Sequence, residues 1–228
     1  MSINHDENPE KTVLMLRGRP CRLLLHTSRP IDLLDRLLET QAAVIVTPDE
    51  AARDQLAAAD IALVMELVME PGFEHDHDGL ADRLAEIMQR RPDALLIRHA
   101  RAPADIERVD AFLRVEEALS GMEDGITGLI PVVGNSGQGF ASLSALAVAS
   151  PRVLALALDE PALLTAIGAA SISDGEAALD MARSFLQLTG AEMRLPVFSL
   201  PAEGKAGCAR LAARGFSGFI LREIPGKM

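Results

Sequence analysis

Two fully apolar runs, separated by one helical length, set the strongest limit on what this chain can become. Leu129–Val133 breaks into the glycine-rich turn Gly134-Asn135-Ser136-Gly137-Gln138-Gly139. A helix-like stretch through Leu143, Leu146 and Val148 follows, and a second run, Val153–Leu158, ends abruptly at Asp159-Glu160-Pro161. A strand with one wet face alternates apolar and polar residues, whereas a strand with no polar member is covered on both faces. That is the condition of a parallel strand flanked by helices. Parallel α/β sheets bind ligands beyond the C-terminal ends of their strands, so the polar residues after each run are the first candidates for a site.

The same alternation runs along the rest of the chain. Val13–Leu16 and Arg22–Leu25 flank Gly18-Arg19-Pro20, as in a hairpin leading into a first strand. Behind Pro30, Ile31, Leu33, Leu34, Leu37 and Leu38 trace one helical face. Ala43–Val46, Ile61–Leu67, Ala94–Ile97, Val197–Leu200 and Phe219–Leu221 read as further strands. Between them, helices are expected from Pro48-Asp49-Glu50, through Leu80 to Met88, from Pro103 through Leu113, over Pro161–Ile167, over Gly175–Leu188 and over Lys205–Arg214. Eight such alternations in 228 residues predict a single-domain (β/α)8 TIM barrel over residues 21–228, behind an arm or hairpin at residues 1–20. An open doubly wound sheet is the alternative, because counting strands does not reveal closure.

Composition narrows the function. A net charge of -11 offers no basic face for a phosphate backbone, which speaks against a nucleic-acid partner. No apolar run is long enough to span a membrane. Cys21 and Cys208 stand far apart in no metal or redox pattern, and the N-terminus is polar and acidic; both features suggest reduced thiols in a cytoplasmic protein. There is no Trp or Tyr, so the core is aliphatic.

Ser150-Pro151-Arg152-Val153-Leu154-Ala155-Leu156, followed by Leu163 and Ile167-Gly168, resembles the citrate lyase beta subunit branch of the HpcH/HpaI aldolase superfamily. Ser28-Arg29-Pro30, Ala43-Val44-Ile45-Val46 with Pro48-Asp49-Glu50, Pro92-Asp93-Ala94-Leu95-Leu96 with Pro103-Ala104-Asp105-Ile106, and Gly215-Phe216-Ser217-Gly218 fall in the same order and spacing as that family's motifs. The resemblance implies a (β/α)8 barrel that makes or breaks a carbon–carbon bond in a small carboxylate or acyl-CoA, as a homo-oligomer. It also implies Mg²⁺ held by a Glu and an Asp, since the charge of an enolate has to be met by a preplaced cation. Those two carboxylates fall here on Gly134 and Ala162. The family's third-strand Arg falls near Met65, its Lys after the fourth strand on His99, and its final His-Pro on Glu223-Ile224. Arg29 keeps the family's residue type.

The candidate site residues follow. Asp159 and Glu160 are candidate ligands of a displaced metal, together with Asp49 or Glu50; the alternative for Asp159 is to cap the helix that Pro161 begins. Gly134, Ser136 and Gly137 are candidate backbone donors to an anion at a helix start, with Asn135 and Ser136 as the polar tips of the turn. Arg29, His99, Asn135 and Asp159 are the candidate catalytic residues, His99 flanked by Arg98 and Arg101 and standing in for the family's Lys. Glu74-His75-Asp76-His77-Asp78 is a ligand-dense loop, or a solvated one with Asp78 as a helix cap. Cys208 reads as helix core. Two functions are compatible with these residues: a carbon–carbon lyase of divergent mechanism, or a catalytically silent barrel serving as a binding or assembly partner.

Overall fold

The computed structural model describes residues 12–26, 42–45, 50–69 and 77–222. Its first element is a hairpin of β1 (Leu14–Leu16) and β2 (Arg19–Cys21), paired antiparallel with Leu16 opposite Arg19. Arg17 and Gly18 have φ of 51° and 71°, the two left-handed positions that a two-residue type I′ turn requires. The barrel strands are β3 (Leu23–His26), β4 (Ala42–Ile45), β5 (Leu63–Val68), β6 (Ala94–Arg98), β7 (Gly128–Val133), β8 (Leu156–Asp159), β9 (Val197–Leu200) and β10 (Gly218–Arg222). All pair in parallel, and β10 closes on β3 with Phe219 beside Leu23, so the sheet is an eight-stranded barrel rather than an open sheet.

The helices are α1 (Glu50–Ala58), α2 (His77–Met88), α3 (Pro103–Leu119), α4 (Gly137–Ala141), α5 (Leu143–Val148), α6 (Glu160–Ala166), α7 (Ile172–Met193) and α8 (Cys208–Ala213), the last behind a 3₁₀ turn at Gly204–Gly207. The expected hairpin pairs differently from the sequence reading. Arg19–Cys21 folds back on β1, and Leu23 onwards already belongs to the barrel. Strand β8 starts at Leu156, with Val153 making only an isolated bridge to Leu129, because Ser150–Leu154 is committed to the contacts described below. The helix expected behind Pro30 and the start of the one at Pro48-Asp49 lie outside the described residues.

Period two sorts the strand residues between two cores. Leu24, Ala43, Val64, Ala94, Leu96, Ile130, Ala157, Phe198 and Ile220 form one buried cluster inside the barrel; their neighbours Val44, Leu63, Met65, Leu95, Leu129, Leu156 and Val197 pack against the helices. With so few aromatic residues, the lumen is filled by small and aliphatic side chains around Phe198. Phe198 occupies the space beside Gly218, where any Cβ would overlap its ring. Leu14, Leu16 and Cys21 of the hairpin join the inner cluster and close the N-terminal end of the barrel. There Arg17 pairs with Asp93 at 2.8 Å, and the second oxygen of Asp93 accepts the Leu63 N–H.

Burial pushes the Cys21 thiol up to about 11, while hydrogen bonds involving the Ala43 and Leu23 backbone oppose the shift. The thiolate is the reactive form, so Cys21 should resist an aromatic disulfide reagent in the native protein and react only in denaturant. Cys208, half-buried, should react first. Equal native rates for the two thiols would contradict this packing.

Ser150 and Arg152, the residues that carry the family resemblance, hold the fold at the end of the barrel opposite the C-terminal ends of its strands. Arg152 lies ahead of β8 and donates to Asp110 at 2.6 Å, to both oxygens of Glu117 at 2.8 and 2.7 Å, and to Asp124 at 2.9 Å. Ser150 donates to Asp110 at 3.0 Å. Glu117 also accepts the backbone N–H groups of Gly125 and Thr127, so α3 is tied to both strands that follow it. Burial alone would raise the pKa of Asp110 and Glu117, but hydrogen bonds from Arg114, Arg152 and Ser150 to Asp110, and from Arg152, Gly125 and Thr127 to Glu117, outweigh it and lower both. A carboxyl depressed on folding contributes stability above its unfolded pKa, about 4, and loses it as pH falls through the lower folded value. The melting temperature should therefore hold near neutrality and fall below about pH 4, less steeply in Glu117→Gln. Parallel slopes for the variant and the parent would show that Glu117 is not linked to folding.

Candidate functional site

At the C-terminal mouth the inward positions become charged. His26 ends β3, Glu66 lies in β5, Arg98 ends β6, Asp159 ends β8 and Arg222 ends β10; together they line a small opening. Leu96, Val132, Leu200 and Ile220 form its apolar floor and walls.

Arg98 joins the two sides of the opening. Its Nη1 donates to Glu66 Oε1 at 3.1 Å on the neighbouring strand, and its Nη2 donates to Asp159 Oδ2, two strands away past Val132. Asp159 Oδ1 accepts the Ala162 N–H at 2.9 Å. Asp159 therefore caps α6, as its place before Pro161 suggested, and with its other oxygen fixes the guanidinium.

Glu160 points elsewhere. Its oxygens accept Nε and Nη2 of Arg183, each at 2.8 Å, the Ser199 hydroxyl at 3.1 Å and the Ala202 N–H at 2.9 Å. Buried at 1% exposure, it pins α6 to α7 and β9.

Gly134 follows β7 with φ of 144°, and a Cβ there would overlap the carbonyl oxygen of Asp159. The position where the resemblance expects a metal-binding Glu is thus one where the backbone admits no side chain. Ser136 caps the five-residue α4 by accepting the Gly139 N–H at 3.3 Å, and Gly137 is exposed beside it. The turn's own side chain already meets one of the donors expected to face an anion. Asn135 Oδ1 is buried with no hydrogen-bond partner among the described residues. His99 is half-buried in the left-handed region, φ 64°, and is not among the residues lining the opening; its neighbour Arg98 is. Arg29, Asp49 and residues 70–76 lie outside the described residues.

The resemblance implies Mg²⁺, and the described residues fit it poorly. A hard divalent ion collects about six oxygen ligands. Here Gly134 and Ala162 supply no side-chain oxygen, Asp159 is engaged by Arg98 and the Ala162 N–H, and Glu160 is engaged by Arg183, Ser199 and Ala202. Among the described residues no three His, Cys, Asp or Glu side chains group so as to hold a metal.

Sequence reasoning missed Glu66, His26 and Arg222, and for the third strand named only the neighbourhood of Met65. Met65 packs outward against the helices, and the inward residue is Glu66. The signal was present: Glu66 is the one charge in the apolar strand Leu63–Val68, and period two puts it on the same face as Val64.

The fold and the mouth define a closed (β/α)8 barrel with an ionic ring at the C-terminal ends of its strands. Its fold is similar to those of solved HpcH/HpaI aldolase and citrate lyase family proteins. RipC from Yersinia pestis matches with TM-score 0.60 and 18% identity, over 90% of each chain. An HpcH/HpaI aldolase from Desulfitobacterium hafniense DCB-2 matches with TM-score 0.67 and 7% identity, over 89% of this chain and 86% of that one. A citrate lyase from Burkholderia xenovorans LB400 matches with TM-score 0.66 and 13% identity, over 93% of this chain and 77% of that one. No family model matches the chain, and no curated protein matches it in sequence. No helix among the described residues is long and apolar enough to cross a membrane.

Proposed function

We propose that this protein is a carbon–carbon lyase of the aldolase type, acting on a small hydroxy or oxo acid at the barrel mouth. The observation that carries the reading is Arg98, a half-buried guanidinium held by two carboxylates at the C-terminal end of a barrel built like those of aldolases and citrate lyases. In a retro-aldol cleavage a base removes the hydroxyl proton, the carbon–carbon bond breaks, and its electron pair moves onto the neighbouring carbonyl as an enolate. A proton returned to the enolate carbon completes the reaction. Each stage has a candidate in the opening: His26 or Glu66 to take the proton, Arg98 to face the enolate charge and Arg222 to hold a carboxylate.

A fully ion-paired Arg98 also suits a silent barrel that binds an acid without cleaving it, and assay separates the two. Purified protein should release pyruvate from 4-hydroxy-2-oxo acids, or glyoxylate from malyl-CoA. Arg98→Met should lower the rate about a hundredfold, the typical loss on removing one group that stabilises a developing oxyanion. Acid binding without turnover of any of these substrates would replace the lyase by the silent barrel.

A further inference from the structure

Arg98 has two carboxylate partners of unequal character. Asp159 is fixed: its second oxygen is committed to the Ala162 N–H, and its side chain is only 5% exposed. Glu66 makes a single contact, at 3.1 Å, with 25% of its side chain exposed towards the opening. A guanidinium presents a planar fork suited to two parallel bonds with one carboxylate, and Glu66 uses only one of its nitrogens.

We propose that Glu66 is a placeholder for the ligand, and that an incoming carboxylate displaces it from Arg98 without any divalent ion. The inference rests on the acid-binding part of the proposed function and deepens it. Asp159 keeps the guanidinium aimed into the opening, so the fixed cation that an enolate or carboxylate needs is supplied by the protein. In the resemblance a metal ion has that role; here Gly134 and Ala162 leave it without side-chain ligands, and Asp159 and Glu160 are committed to other partners. Val132, Leu200 and Ile220 around the fork exclude water from the new ion pair, which strengthens it. Arg222, at the register position on β10 that matches His26 on β3, adds positive charge to the same rim.

The test is calorimetric titration of the full chain with pyruvate and with malate, in excess EDTA and again in excess MgCl₂. The proposal expects equal affinity in both media. Arg98→Met should weaken binding about tenfold to a hundredfold, the range for losing hydrogen bonds to a charged group. Glu66→Gln should tighten it, by roughly threefold, because a competing exposed ion pair of modest strength is removed. Circular dichroism identifies folded variants, and the Glu66→Gln and EDTA arms hold even if Arg98→Met fails to fold. Affinity seen only with Mg²⁺, or retained in folded Arg98→Met, or unchanged or weakened in Glu66→Gln, would overturn the placeholder while acid binding stood. No heat with either acid in either medium would overturn both.

Discussion

Replacing Arg152 by Met is expected to cost about 3–5 kcal/mol, because it strands Glu117 as a buried carboxylate without its counter-ion and leaves Asp110 only the exposed Arg114. Glu117 is wholly buried and Asp110 nearly so, and each relies on the guanidinium for its shortest contacts, 2.7 and 2.6 Å. For a chain of this size, at about 2–4 °C per kcal/mol, the melting temperature should fall by about 6–20 °C. The cost is the penalty of an unpaired buried charge, not the net worth of the pair, so a second change has diagnostic value. Adding Glu117→Gln to Arg152→Met should recover part of the loss, with a coupling above about 0.5 kcal/mol. Thermal and urea unfolding measure both. A loss under about 1 kcal/mol for the single variant, or strict additivity, would mean that the cluster does not hold α3 to the barrel.

Gly134→Ala is expected to cost about 3–5 kcal/mol, the sum of a left-handed backbone strain and an overlap that only backbone movement relieves. The atom in the way is the Asp159 carbonyl oxygen, so the damage reaches the residue that orients Arg98. Gly134→Glu restores the carboxylate that the family resemblance expects, yet it should be no more stable than Gly134→Ala and should gain no Mg²⁺ binding. A stable, Mg²⁺-binding Gly134→Glu would show that the mouth readily returns to metal ligation and that Arg98 is not its settled cation.

The two variants also show which parts of this protein were legible in its sequence. Arg152 sits in the segment that carries the family resemblance, and the structure gives that segment a load to bear at the closed end of the barrel. Resemblance there therefore reports on fold. Gly134 was legible as a lost carboxylate but not as a position where none fits, since its φ of 144° and its nearness to Asp159 come from strands far apart in the chain. Asp159 was legible twice over: as a cap, from the proline two residues on, and as a polar residue at the end of a strand. Glu160 beside it looked equivalent, but period two turns it away from the lumen and onto Arg183.

By itself the sequence determined the order of strands and helices, because apolar runs bounded by Pro, Gly and acidic caps are local signals. It also determined the parity of each strand, which decides that Val64 and Glu66 share one face and Met65 the other. Closure belonged to the tertiary structure alone, since the pairing of β10 with β3 joins the two ends of the barrel. So did the identity of the site. Glu66, Arg98 and Asp159 are separated by 32 and 61 residues in the chain, and they meet only because three strand ends face one lumen. An ion pair across a barrel depends on strand order, register and tilt, and no stretch of this chain records those on its own.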